Sequence, residues 1–350
     1  MKVLLVSVKS EITKGGIAVW TNHYLSGCEA VGIQCDIVNT EIVGKRAANL
    51  TAKRNLRDEV IRTRRIIREL TCDLREYCYD IAHLNTNIGL FGIVRDYYVA
   101  KIIVKHRIPL VVHFHCDIPY WVRNALIRLY LKRLLKISKA NFVLCKSSHQ
   151  YLKREYHADS IFIPNFVDEK LIVDQRRISP EIRKICFVGR VSSAKGAKEI
   201  FEVARVLPEI QFELVGEVSI EVHSWEKPSN IELRGILSHG ETMKVLDESD
   251  VFLFPSHTEG FSLALAESMA RGVPAIATDV GANSDMLEDK GGIVVQIADN
   301  RAMVEAIKKL RDPLLREKMS AWCIKKVREN YTTNRVMEKL KQIYGNVMEE

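Results

Sequence analysis

Short apolar runs separated by helix-length segments recur from one end of the chain to the other, and no other feature constrains the fold as much. Val3-Leu4-Leu5-Val6 is apolar without alternation, the pattern of a parallel strand covered on both faces. Gly15-Gly16 then opens a helix-like stretch through Ala18, Val19, Tyr24 and Leu25. Further strands are expected over 34–38, 80–84, 109–115, 141–145 and 161–163, with helices over 47–70, 95–106 and 121–139. The polar segment 167–183, which contains Pro180, reads as a linker. After it the rhythm restarts, with strands over 185–188, 212–215, 251–254, 275–277 and 292–295 and a helix over 199–207. An amphipathic helix over 335–344 ends the pattern. Repeated strand–helix units imply parallel sheets with helices on both faces, an α/β fold. At roughly 150 residues per domain, 350 residues suit two such domains in tandem. A ligand cleft is expected between them, at the carboxyl ends of the strands.

Charge separates the halves. The net charge is +8, yet residues 1–170 hold 27 Lys+Arg against 16 Asp+Glu, and the remainder is slightly acidic. The partner of the first half should therefore be anionic: a membrane surface, a lipid phosphate, an acidic glycan or nucleic acid. No apolar run approaches the ~18 residues that would span a membrane. The apolar opening is too short for a signal-peptide core, and a cytoplasmic location is expected. Eight scattered cysteines form no C-x-x-C pair. Reduced core thiols are the expectation, without a metal or disulfide role.

Two segments carry the chemistry. In Pro255-Ser256-His257-Thr258-Glu259-Gly260-Phe261-Ser262-Leu263-Ala264-Leu265-Ala266-Glu267, a strand ends at Phe254 and a helix begins near Ser262. Glu259 is expected on the loop and Glu267 two turns into the helix. Carboxylates that accept hydroxyls then flank a helix N-terminus, which presents N–H groups and a positive dipole end to an anion. A ligand with phosphate in the middle and polyols at both ends fits. The same residues also fit a helix N-terminal charge beside a solvated glutamate. In Phe187-Val188-Gly189-Arg190-Val191-Ser192-Ser193-Ala194-Lys195-Gly196, Arg190 and Lys195 follow a strand end. They are either phosphate ligands or two solvated surface cations. No D-x-D occurs, so the usual acidic clamp for a divalent metal on a diphosphate is missing. Arg190 and Lys195 would serve instead, with no metal and no cofactor.

The order F-V-G-R…K-G, E-G-F-S-L-A-L-A-E, G-V-P-A-I-A-T-D-V-G-A-N and G-G-I-V-V resembles the C-terminal half of the retaining glycosyltransferases of family 4. The N-terminal half matches more loosely, through Gly15-Gly16, the strand ending at His115 and Ile163-Pro164-Asn165-Phe166-Val167-Asp168. The resemblance implies the GT-B fold, two Rossmann-like domains facing across a cleft. Residues 1–168, joined by a returning C-terminal helix from about 335 to 350, would bind the acceptor, and 169–334 the nucleotide-sugar donor. By resemblance Glu267 binds the ribose hydroxyls, and Glu259 the donor sugar. Backbone N–H groups around Gly260, Phe261, Ser262 and Leu263 approach the diphosphate or the sugar. Arg190 and Lys195 neutralise the leaving diphosphate, His115 lies near the reacting carbon, and Gly15 and Gly16 approach the donor phosphate. The base packs near Ile236. A strand-end histidine satisfied by its neighbours is the alternative for His115. Ser262 departs from the pattern where glycine is frequent, and Gly216-Glu217-Val218 stands where G-x-G is expected.

The implied reaction moves a sugar from a UDP- or GDP-linked donor to an acceptor hydroxyl with retention. No residue is an obvious enzymic nucleophile, so the leaving phosphate itself is expected to accept the acceptor's proton. The segment 121–139 carries Arg123, Arg128, Lys132, Arg133, Lys136 and Lys139 and no acid, with leucines between them. That pattern suits a helix on an anionic membrane, and also a packed helix with a solvated basic face. The membrane reading implies a lipid-linked or polysaccharide-precursor acceptor and a peripheral position on the inner face of the plasma membrane. A sugar-nucleotide epimerase and a non-catalytic GT-B partner subunit are the rivals. Nucleic-acid binding is not expected, because no stacking motif accompanies the basic residues.

Overall fold

The computed structural model describes residues 1–9, 15–42 and 55–349. The chain divides into two compact units, Met1–Asn165 with Thr333–Glu350, and Phe166–Thr332. Unit 1 runs β1 (Lys2–Ser7), α1 (Gly16–Cys28), β2 (Gln34–Asn39), α2 (Leu56–Glu76), β3 (Ile81–Thr86), α3 (Leu90–Lys105), β4 (Leu110–Phe114), α4 (Ile118–Trp121), α5 (Ala125–Ile137), β5 (Ala140–Val143), α6 (Lys146–Tyr156) and β6 (Ile161–Phe162). Its parallel sheet has the order β2-β1-β3-β4-β5-β6. Unit 2 runs β7 (Lys184–Val188), α7 (Ala197–Val206), β8 (Gln211–Val215), β9 (Ile231–Gly235), α8 (His239–Glu248), β10 (Val251–Phe254), α9 (Leu263–Ala270), β11 (Ala275–Thr278), α10 (Asn283–Leu287), β12 (Gly292–Val295), α11 (Asn300–Lys309) and α12 (Pro313–Asn330). Its sheet order is β12-β11-β10-β7-β8-β9, the doubly wound order. The last helix, α13 (Thr333–Glu349), belongs to unit 1.

Successive strand side chains point to opposite faces of a sheet. In unit 1, Leu4, Val6, Ala82, Leu84, Val112 and Phe114 share one core with Ile66 and Leu70 of α2, Ile103 of α3 and Leu131 of α5. Each fully buried aliphatic side chain contributes about 1.5–3 kcal/mol. The opposite face carries His83, His113 and Phe142, with ring centroids 5.5–5.7 Å apart. Trp20 and Tyr24 of α1 and Tyr344 of α13 cover them. His83 Nδ1 and Tyr344 Oη are hydrogen-bonded at 2.5 Å, and Tyr344 also donates to Tyr24 Oη at 3.2 Å. The returning helix is thus held by buried polar contacts as well as by apolar packing.

Several boundaries differ from the sequence expectation. The helix expected over 121–139 is two helices: α4 ends at Trp121, and the Asn124 side chain accepts the Ile127 N–H to start α5. The helix expected over 47–70 starts at Leu56, where Asn55 caps it, and extends to Glu76; residues 47–54 lie outside the described residues. The strand expected over 109–115 stops at Phe114, although the His115 N–H still donates to Thr86 O. The segment 167–183, expected as a linker, lies wholly within unit 2. Val173 N donates to Ala270 O, and the Arg176 guanidinium donates to carbonyls of Leu246, Asp247, Ser249 and Arg271. Its polar character serves the unpaired carbonyls at the ends of α8 and α9. All eight cysteines are free thiols, but Cys72 and Cys78 are exposed rather than in the core.

Burial keeps His83 and His113 neutral, His83 pulled down to about 3 and His113 well below its ordinary value. The unfolded chain takes up a proton at each near pH ~6.5. More protons are then bound in the unfolded state, so stability falls as pH drops below ~6.5, by about 1.4 kcal/mol per pH unit per histidine. Urea unfolding followed from about pH 7 to pH 5 should show this slope, and His113→Leu should remove about one proton from it. An unchanged slope in that variant would assign the proton uptake to other groups.

Candidate active site

The doubly wound order of unit 2 reverses direction between β7 and β10, and a crevice forms where neighbouring connections leave a sheet on opposite sides. Both motif segments lie there. Gly189 and Arg190 follow β7, and Pro255–Glu259 follows β10. The His257 N–H donates to Ala194 O, which ties the second loop to the first. Lys195 Nζ lies 2.5 Å from Glu259 Oε1, with the carboxylate largely buried. Arg190 pairs with Glu217 at 3.3 Å, both side chains more than half exposed. A surface pair of that kind contributes about 0–1 kcal/mol, so Arg190 can change partner at little cost.

Two glycines set the loops this close. Gly196 (φ +78) carries no Cβ where one would stand 2.1 Å from Pro255 O. Gly281 (φ +55) would place one 2.4 Å from Glu259 O and 2.7 Å from Gly260 O. Gly260 O accepts the Ala282 N–H, and the buried Phe261 ring meets Tyr331 edge-on at 5.3 Å. With Phe261 anchored inward, the backbone of Gly260–Leu263 forms the rim at the start of α9. Ser262 is the cap of α9, its hydroxyl accepting the Leu265 N–H. That hydroxyl is therefore turned into the first turn of the helix. With the Leu265 N–H taken by Ser262, the Leu263 and Ala264 N–H groups at the start of α9 are left with no carbonyl one turn back.

Glu267 is the fifth residue of α9, in its second turn rather than two full turns in. Its carboxylate accepts from His239 Nε2 at 3.0 Å. His239 was missed in the sequence, although Ser238 and Glu241 form the capping box that marks this helix start. Also missed were Glu217, opposite Arg190, and the Glu199–His257 contact at 2.8 Å that braces the β10 loop. Ile236, expected beside the base, follows β9 and is 70% exposed. Among the described residues no group of three or more His, Cys, Asp or Glu is arranged to hold a metal ion.

Gly15, Gly16 and His115 belong to unit 1, whose sheet reverses between β1 and β3. Gly15 caps α1, and a Cβ at Gly15 or Gly16 would meet nothing within 4 Å among the described residues. Packing of the described chain does not demand glycine there. His115 Nε2 hydrogen-bonds Asn85 Oδ1 at 3.0 Å, Asn85 Nδ2 donates to Ser7 Oγ at 2.8 Å, and Ser7 meets Thr21 Oγ1 at 2.7 Å. Thr21 in turn donates to Ile17 O in the first turn of α1. A polar chain of strand-end residues therefore connects His115 to the glycine-opened helix. Burial pulls the His115 imidazole down to about 3, so it is neutral at physiological pH. Arg128, Lys132, Arg133 and Lys136 are all exposed on α5.

The family model described as Glycosyltransferase Family 4 matches residues 14–171, and the one described as Glycosyl transferases group 1 matches 168–326. The chain belongs to the family 4 glycosyltransferases. A 41.2 kDa protein of the cps region of Klebsiella pneumoniae is 25% identical over 247 residues, which is 65% of this chain and 68% of that one. A capsular polysaccharide biosynthesis glycosyltransferase of Staphylococcus aureus is 24% identical over 203 residues, so the match spans only about half of each chain, 52% and 53%. Sucrose-phosphate synthase from Thermosynechococcus elongatus matches with a TM-score of 0.82 over 99% of both chains at 16% identity. That likeness shows the shared fold, GT-B. No helix among the described residues is long and apolar enough to cross a membrane.

The loop argument is open to test. Gly281→Ala should lower stability by roughly 1–3 kcal/mol, because the methyl meets backbone and the left-handed conformation disfavours any Cβ. Gly240→Ala, in α8 with nothing within 4 Å of the added carbon, should be neutral or stabilising by up to ~1 kcal/mol. Denaturant midpoints of the two variants would decide, and equal effects would remove the packing role assigned to Gly281.

Proposed function

We propose that the protein transfers a hexosyl group from a UDP- or GDP-linked sugar to a hydroxyl of a lipid-linked or polysaccharide-precursor glycan, with retention and without a metal. The observation that carries this reading is the Lys195–Glu259 contact beside the N-terminus of α9, the helix that also bears Glu267. The arrangement offers, in order, an acceptor for ribose hydroxyls, donors for a diphosphate and a carboxylate for a sugar. The capsular polysaccharide relative supports the acceptor class.

In this mechanism the bond between the anomeric carbon and the phosphate oxygen breaks, and its electron pair stays on that oxygen. Lys195, Arg190 and the first N–H groups of α9 receive the growing negative charge from fixed positions. As Lys195 turns to the phosphate, Glu259 is released to accept from a sugar hydroxyl. The acceptor oxygen bonds to the anomeric carbon on the face the phosphate leaves, and its proton passes to the phosphate. His115, being neutral, contributes a hydrogen bond rather than a charge. The exposed basic helix α5 gives unit 1 a cationic face toward an anionic membrane, which fits a lipid-linked acceptor and a peripheral position.

A panel of UDP- and GDP-linked hexoses and N-acetylhexosamines, followed by thermal shift and slow hydrolysis with and without EDTA, tests the proposal. One donor should stabilise the protein and be hydrolysed equally in EDTA. Glu267→Ala should lower kcat/KM roughly 10- to 100-fold through lost hydroxyl contacts. Lys195→Ala should lower kcat by about 100-fold or more. Activity abolished by EDTA would overturn the metal-free step. Release of an isomerised nucleotide sugar would establish the epimerase instead.

A further inference from the structure

Unit 1 carries a concavity whose lining comes from α5 and α6. It is a groove of about 310 Å³ lined by Ala125, Arg128, Leu129, Lys132, Tyr151, Glu155 and Tyr156. Arg128 and Lys132 stand one helical turn apart and share one side of α5. Neither has an ion-pair partner among the described residues. The one acidic side chain of the groove, Glu155, is held by Arg154 at 2.8 Å. Tyr151 and Tyr156 form the far wall, their rings 6.0 Å apart. Burial pushes the Tyr156 hydroxyl up to about 12, so it remains a protonated donor. Two unneutralised cations and phenolic donors converge on one open space, which is a donor set for a phosphate.

The rim says which phosphate. Leu126 and Leu129 face outward from the same helix at 46% and 43% exposure, and Tyr120 and Trp121 precede it at 38% and 40%. Arg123 stacks over Tyr120 at 4.4 Å, and Arg133 over Tyr130 at 5.4 Å. Exposed leucines and interfacial aromatics between cations gain nothing from a soluble phosphate, but they bury apolar area at the headgroup boundary of a bilayer. We propose that the α5–α6 groove seats the phosphate of a single anionic phospholipid, with Leu126, Leu129 and Trp121 in the adjoining interface. This deepens the peripheral-membrane part of the proposed function from diffuse attraction to a defined headgroup site.

Binding of the full chain to phosphatidylcholine vesicles, with and without phosphatidylglycerol, is measured in the absence of any nucleotide sugar. Its outcome is therefore distinguishable from failure of the transferase reading. Two variants remove equal charge from the same helix. Arg128→Gln with Lys132→Gln empties the groove, and Arg133→Gln with Lys136→Gln leaves it intact. Diffuse attraction alone predicts similar losses for both, roughly 30-fold for two cations. A seated phosphate predicts about a further 10-fold for the groove pair. Tyr151→Phe, which changes no charge, should also weaken binding to the anionic vesicles severalfold, with an unchanged melting curve. Equal losses in the two double variants, an unaffected Tyr151→Phe, or no preference of the unaltered chain for phosphatidylglycerol would each overturn the headgroup site.

Discussion

A parallel strand covered on both faces has little room for polar side chains along its length, because a buried polar group without a partner costs several kcal/mol. Chemistry in such a sheet is pushed to the carboxyl ends, where the chain leaves for its next helix. Both units obey this constraint. In unit 2 the strand interiors are largely apolar, the buried Glu213 of β8 is paired with Lys184 at 2.7 Å, and Arg190, Lys195, Glu259 and Ile236 all follow a strand within a few residues. In unit 1 the strand ends supply Ser7, Asn85 and His115, joined by short hydrogen bonds into one chain that continues to Thr21 of α1. Where the sheet order reverses, two strand ends separate their loops, and the helix that starts there keeps N–H groups with no carbonyl one turn back.

The exceptions on the strands of unit 1 are instructive. His83 and His113 lie in mid-strand on the face that α1 and α13 cover. An imidazole is tolerated there because it can be neutral and because its ring packs like an aromatic. Tyr344 then gives His83 Nδ1 a partner from a helix distant in sequence, and Tyr24 accepts the Tyr344 hydroxyl in turn. The same contacts fix the register of α13 on unit 1, since the Tyr344 hydroxyl must meet His83 and Tyr24 at once. A purely apolar helix face would leave that register less defined.

Much of the fold was legible in the sequence, because both apolar strand runs and amphipathic helices have distinct periods. The segments after β7 and β10 were legible for a further reason: each combines a strand end, a glycine and charged residues within a dozen positions. What could not be read depended on partners distant in sequence. Arg176 looks like linker polarity until the carbonyls of α8 and α9 stand around it. Glu217 and His239 look like surface residues until Arg190 and Glu267 are placed beside them. The break at 122–124 depends on one asparagine capping a new helix, a signal that the continuous basic pattern of 121–139 masks.

The Lys195–Glu259 contact is best understood as a way of holding two charges in readiness. A partly buried ion pair gives little net stability, because desolvation offsets most of the attraction. Its consequence is positional. Each side chain is kept near the geometry a substrate would require, in a conformation the glycine-fixed loops already impose. In the proposed reaction a diphosphate, which carries more charge than a carboxylate, is the stronger partner for Lys195, and its arrival would leave Glu259 without a cation. A carboxylate in that position then favours a hydroxyl donor over remaining unpaired. In the proposed reaction one exchange of partners would thus couple recognition of the phosphate to recognition of the sugar, and neither side chain would have to be reorganised from solvent when the bond breaks.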